Sequence, residues 1–185
     1  MVLVRPTLER LPAYRDALAR GWSPDNLRPQ AGAEQLARIE EDAAAFLAGH
    51  EDREARGGPV TLPDGSQVPR LPSIRRWIWR DGFAGVIGLR WQEGTEALPP
   101  YCLGHIGYAV VPWRRREGLA TAALRAMLPR ARAVGLRHVD VTASPDNRAS
   151  IGVIEGAGGA FVERFRSPPA TGGEEEMRFR IVLGG

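Results

Sequence analysis

The strongest constraint on the fold is an apolar strand that stops abruptly and hands over to a helix. His105 to Val111 reads as a central strand, and Pro112, with no N–H for a ladder, ends it. Three arginines follow, Arg114, Arg115 and Arg116. From Gly118 to Val134 the residues Leu119, Ala123, Leu124, Met127, Leu128, Ala131 and Val134 keep helical spacing. Pro129 lies inside that repeat and predicts a kink, because it cannot donate to Arg125. Gly135 terminates the helix, and Val139, Val141 and Ala143 alternate as the next strand.

The flanking segments extend this pattern. Val2 to Arg5 reads as a first strand, and Leu8 to Arg20 as a helix that Thr7 caps, with Arg10 where a capping box wants Glu. A second helix spans Ala33 to Ala48, with Leu36, Ile39, Ala43, Phe46 and Leu47 on one stripe. Glu51 to Ser73 is polar and rich in Gly and Pro, and its LPDGSQVP run carries a hairpin-type Asp-Gly turn. Ile74–Arg80 and Ala84–Trp91 read as strands around a turn at Arg80–Phe83. Arg148 to Ala157 reads as a helix stopped by Gly158-Gly159, and Phe161–Arg166 and Arg178–Leu183 as two last strands. The whole is one mixed α/β domain over residues 1–185.

The chain has 185 residues, enough for one core without disulfide or metal. All 25 basic residues are arginine, against 22 acidic ones. With the abundant Ala, Gly and Pro, this fits a GC-rich bacterial coding bias, and it gives nucleic acid little weight as a partner. Cys102 is alone, so no internal disulfide or cysteine-rich metal site forms, and no metal is expected. The sequence has no leader pattern and no stretch near the roughly 20 apolar residues of a membrane span, so a cytoplasmic protein without membrane partners is expected.

The turn between strand and helix carries chemistry. A helix start leaves N–H groups without intrahelical partners, and the macrodipole makes that end positive. Gly118 and Ala120 let a ligand reach the backbone, Thr121 adds a hydroxyl, and the arginines add charge-assisted hydrogen bonds. This suits a pyrophosphate. A solvated basic turn opening an amphipathic helix reads equally well from physics alone. Neither nucleotide-loop fingerprint, G-x-x-x-x-G-K-[ST] nor G-x-G-x-x-G, is present.

Val110, Pro112, Arg115, Gly118 and Ala120 spell V-x-P-x-x-R-x-x-G-x-A, which resembles the coenzyme A signature of the GNAT superfamily of N-acetyltransferases. A second stretch, Asn147-x-x-Ser150-x-x-Val153-Ile154-Glu155 with Gly158-Gly159, resembles that family's later motif. The resemblance spans nearly the whole chain, although only these two stretches are specific. It implies an α/β (α+β) fold: a mixed, mostly antiparallel sheet of about seven strands, splayed at its middle pair and flanked by about four helices. It also implies acetyl-CoA inserted between His105–Val111 and Arg137–Ala143. Val110 and Val111 would meet the pantetheine. Arg115, Arg116, Glu117, Gly118, Leu119, Ala120 and Thr121 would hold the pyrophosphate. Asn147 and Ser150 would flank the sulfur. The acetyl group passes directly to a primary amine, with an N–H near Val110 as oxyanion donor. A non-catalytic acyl-CoA sensor is the alternative.

His105 and Tyr108 are the candidates for proton transfer, and Glu93, which also reads as a solvated residue at a strand end, is a weaker base. His105 opens the central strand where related enzymes often carry Glu, and imidazole suits a base near neutral pH. A hydrogen-bonded structural histidine is the other reading. Many family members have Tyr where Ile154 stands, so Tyr108 is the candidate acid, although alternation puts it on the opposite face from His105. Trp22, Trp77, Trp79 and Trp91 are candidates for the acceptor pocket or for the core, and the acceptor is not readable. A homodimer is compatible with the sequence, but no residue marks its interface.

Overall fold

The computed structural model describes residues 1–26, 28–62 and 64–184. Leu27, Pro63 of the expected hairpin, and Gly185 at the domain's end lie outside the described residues. The elements run β1 (Val2–Val4), α1 (Leu11–Ala19), α2 (Ala31–Glu41), α3 (Ala43–Ala48), β2 (Glu51–Asp52), β3 (Val60–Thr61) and β4 (Gln67–Val68). Then come β5 (Ser73–Trp79), β6 (Phe83–Arg90), β7 (Ile106–Val110), α4 (Leu119–Ala133), β8 (His138–Ala143), α5 (Arg148–Gly156), β9 (Ala160–Arg166) and β10 (Glu175–Val182). No helix is long and apolar enough to cross a membrane among the described residues.

The sheet is built in two halves. One has the order β1-β5-β6-β7, with short β2 also on β5, and the other has the order β8-β10-β9. Every assigned pairing is antiparallel. Seven strands therefore make the main row, as expected, and β2 and the β3–β4 hairpin come from the long polar segment. Helices number five among the described residues. The expected Ala33–Ala48 helix breaks at Asp42, whose backbone turns extended (φ −154°, ψ 95°) while its carboxylate caps α3 through Ala45 N–H. Helix α1 also starts later than expected, at Leu11. Thr7 is not its cap, because its carbonyl closes a turn with Arg10 N–H instead. Helix α4 continues through Pro129.

Alternation along β7 divides the core into two layers. Ile106 packs with Leu119, Leu124 and Met127 of α4, Val139 and Val141 of β8, Ile154 of α5, and Phe179 and Ile181 of β10. Ala109 and Val111 face the other way, into an aromatic layer of Tyr14, Trp22, Phe46, Trp77 and Phe83. There Tyr14 stacks on Trp77 at 4.8 Å and meets Phe83 edge-on at 5.1 Å. Each such fully buried side chain contributes about 1.5–3 kcal/mol. Trp22, Trp77 and Trp91 are therefore core, and do not line an acceptor pocket.

The two halves meet at one point. His105 N–H donates to Asp140 O at 2.7 Å, and Asp140 N–H donates back to His105 Nδ1 at 3.0 Å. Gly104 makes this approach possible: a Cβ there would lie 3.1 Å from Asp140 O and 3.3 Å from Thr142 N. Beyond that vertex no ladder joins β7 to β8, and the strands part.

Candidate active site

The parted strands leave one edge of β7 facing a gap. Val111 N–H bonds Ala84 O and Arg90 N–H bonds His105 O, which makes Val110/Gly85 and Ile106/Leu89 wide pairs of the ladder. The main-chain groups of Ile106, Tyr108 and Val110 therefore point away from β6, into the gap. Two carbonyls there are engaged: Tyr108 O accepts from Asn26 Nδ2 at 3.1 Å, and Val110 O from Arg115 Nε at 3.4 Å. Val111 is turned the other way, toward β6.

The chain leaves β7 through a tight turn at Pro112–Arg114. Arg116 and Gly118 are both left-handed, at φ 68° and 69°. Glycine takes that conformation without strain, and a side chain at position 118 would meet open space. The first intrahelical bond of α4 is Ala122 N–H to Gly118 O. Among the described residues, nothing accepts the N–H groups of Arg116, Glu117, Gly118, Leu119, Ala120 and Thr121. Two left-handed residues alternating with others, followed by a bare helix start, form a concave array of donors suited to an anion.

Charge around this array is sorted. Arg114 binds the Glu117 carboxylate at 2.9 and 3.1 Å and donates to Arg80 O at 2.9 Å, so Glu117 is neutralised and holds the turn in place. The Arg115 and Arg116 guanidiniums stay exposed, near the unpaired amides.

Helix α5 closes the gap on one side. Asn147 Oδ1 accepts from Ser150 N–H at 3.0 Å and caps the helix, while Ser150 Oγ lies 2.7 Å from the Tyr108 hydroxyl. Burial raises the Tyr108 pKa and the Ser150 contact lowers it, leaving it above the usual tyrosine value, so the hydroxyl keeps its proton at neutral pH. Gly156 packs beside Thr121, tying α5 to the start of α4.

His105 is positioned differently. It is fully buried, and burial lowers its pKa to about 4, against the opposing charge of Asp140. Its Nδ1 lone pair is used by Asp140 N–H, which places the proton of the neutral ring on Nε2, an atom without a hydrogen-bond partner among the described residues. Such a ring has no free lone pair for an amine proton. Its visible work is joining β7 to β8. Tyr108 and His105 lie on opposite faces of β7, as alternation predicts. Ile154 is fully buried in the core, and Cys102 is buried with its thiol toward Gly104 O.

Sequence reasoning passed over three participants. Asn26 reaches β7 from 82 residues away, and Arg178 and Arg180 cross from β10 to Asp140 of β8. The second signal was available: Arg178 and Arg180 alternate with the core residues Phe179 and Ile181, which puts two cations on one sheet face.

A family model described as an acetyltransferase (GNAT) domain matches residues 14–160. No curated protein matches the chain in sequence. Solved structures similar to it include the microcin C7 self-immunity acetyltransferase MccE, in complex with acetyl-CoA and AMP, at TM-score 0.63 and 11% identity over 97% of this chain and 91% of that one. The ribosomal L7/L12 alpha-N-protein acetyltransferase RimL in complex with coenzyme A gives 0.60 at 14% identity, covering 98% and 93%. An acetyltransferase from Salmonella typhimurium that modifies the N-terminal serine of L7/L12 gives 0.60 at 13% identity, covering 98% and 94%. At these identities the likeness is one of fold.

Proposed function

We propose, from the premise that this chain belongs to the GNAT acetyltransferase family, that it transfers an acetyl group from acetyl-CoA directly to a primary amine. The observation that carries this reading is the row of unpaired N–H groups from Arg116 to Thr121, set where β7 offers a free edge. Acetyl-CoA supplies an acetyl thioester activated toward amines. The amides and the Arg115 and Arg116 guanidiniums hold its pyrophosphate. The outward groups of Tyr108 and Val110 align its pantetheine arm, and Val110 N–H faces the carbonyl oxygen as charge develops there. Val111, turned toward β6, takes no part.

The amine nitrogen attacks the thioester carbon, the carbon–sulfur bond breaks, the sulfur leaves as a thiolate, and the amine sheds one proton. Tyr108 donates its hydroxyl proton to the thiolate and recovers one from solvent; its hydroxyl is protonated at neutral pH before the step and lies against Ser150 at the helix that flanks the gap. His105 is not the base in this reading, and the amine proton passes to solvent. Asn147 works through Ser150 by fixing the first turn of α5.

The commitment of His105 also favours a second reading, an acyl-CoA-binding module that transfers nothing. Turnover against a panel of amines separates the two.

The decisive experiment is calorimetry with acetyl-CoA on the wild type, Gly118→Ala and Gly118→Glu. Both variants share the strain of a left-handed side chain, about 1 kcal/mol. Only the glutamate puts an anion among the free amides, and it weakens binding at least about tenfold beyond the alanine. Equal binding by the two variants, or none by the wild type, overturns the assignment.

A further inference from the structure

On the sheet face away from α4 and α5 lies a cleft of about 520 Å³, walled by the segment Glu96–Leu103, the start of β8, the end of β9 and the middle of β10. We propose that this cleft is an anion subsite that receives the acidic group of the amine acceptor, a carboxylate or a phosphate monoester. The inference rests on the transfer reading above and adds the acceptor's chemical class.

The charges of the cleft do not cancel. Its walls carry Arg166, Arg178 and Arg180 and two carboxylates, Glu96 and Asp140, with His138 beside them. Both carboxylates are already committed. Asp140 is gripped by Arg180 at 2.8 and 2.9 Å, and Glu96 by Arg137 at 2.6 and 3.1 Å. Burial pushes the Asp140 carboxyl up, but the hydrogen bonds and charge of Arg180 outweigh it and keep the group ionised. Arg166 donates to Gly173 O, which leaves its charge uncompensated.

Arg178 is the least satisfied of the three. Its guanidinium lies over the Phe165 ring at 4.7 Å, which fixes its plane. Its Nε is buried without a hydrogen-bond partner, 3.4 Å from Glu163, and its Nη1 is 4.0 Å from Asp140. These distances give Coulomb attraction without well-formed hydrogen bonds. Nε is turned toward Glu163, and the Nη groups of this flat, pre-set guanidinium, which make no hydrogen bond among the described residues, are the donors left for a carboxylate or phosphate.

The placement also fits transfer chemistry. Arg178 pairs with Thr142 of β8, two residues beyond the Asp140 vertex. It therefore stands level with the point where β7 and β8 begin to part. At least two strand spacings, roughly 10 Å, separate β10 from the free edge of β7. An acceptor with its acidic group at Arg178 has its amine directed back toward that edge. The cofactor loop and the cleft lie on opposite faces of the sheet, so donor and acceptor enter without obstructing each other.

The test is NMR of arginine-labelled protein saturated with coenzyme A, with the Arg178 Nε–H resonance assigned through Arg178→Gln. The probes are matched pairs: phosphoethanolamine against ethanolamine, and β-alanine against β-alaninamide. A saturable shift of that resonance with an anionic member and not its neutral partner supports the subsite, and the pair that responds tells phosphate from carboxylate. No response to either anion, or an equal response to the neutral amines, overturns it. Acetyl-CoA calorimetry on the same protein before coenzyme A is added, with the probe titrations repeated on it, separates the two readings. Loss of cofactor binding with the Arg178 response intact removes the transferase reading and leaves the anion site.

Discussion

The two halves of the sheet are built on opposite plans. In the half that carries β5 and β6, most residues of these two strands are buried, and an aromatic layer led by Tyr14 and Trp77 seals the face away from α4. In the other half, β9 is exposed along almost its whole length, and β8 and β10 show guanidiniums and a carboxylate on the matching face. The first half is stabilised by apolar burial on both faces of β5 and β6. The second keeps a charged face open, with desolvation offset by ion pairs. The comparison teaches where variation in specificity is affordable: on the open half, whose face is not needed to hold the fold.

The largest expected effect tests the sealed half. Trp77→Ala empties a fully buried site stacked on Tyr14 and lowers stability by about 3–5 kcal/mol in denaturant unfolding. A loss under about 1 kcal/mol would break the comparison.

The middle effect concerns acid. His50, buried in the sealed half and pushed down to about 3 mainly by burial, and His105, at about 4, both refuse protons that unfolded imidazoles accept near 6.5. Both folded values are depressed, so the stability these rings contribute is whole above pH 6.5 and declines as pH falls toward about 4. Unfolding free energy measured across that window should fall, and the slope should shrink in His50→Gln. An unchanged slope would show that His50 does not titrate with unfolding.

The smallest effect sharpens the contrast. Phe161→Ser on β9, where the residue is 53% exposed and its ring meets Phe179 edge-on, lowers stability by about 1 kcal/mol. A cost approaching that of Trp77→Ala would mean that β9 is covered by a partner in solution.

What could be read from the sequence follows the range of the interactions involved. β7, α4 and β8 were legible because periodicity and breakers are local: Pro112 ends a strand, and Gly118 and Gly135 bracket a helix. The break at Asp42 was not, because its stripe residues on both sides keep one helical repeat, and only the carboxylate's competition for Ala45 N–H splits it. The donors at the start of α4 were foreseen for the same local reason. A hydrogen-bonded structural role for His105 was one of its two readings, but its partner Asp140, 35 residues away, was not legible. The cleft depends on pairings of β10 with β8 that no short window contains.

Gly104 has a consequence that reaches far from its own position. With main-chain atoms of β8 at 3.1 to 3.4 Å from where a methyl would sit, even alanine acts as a wedge between the two strands. The angle set there is carried along the whole of β7, roughly 20 Å to its far end. A single residue at the vertex thus governs how far the gap between β7 and β8 can open along its whole depth.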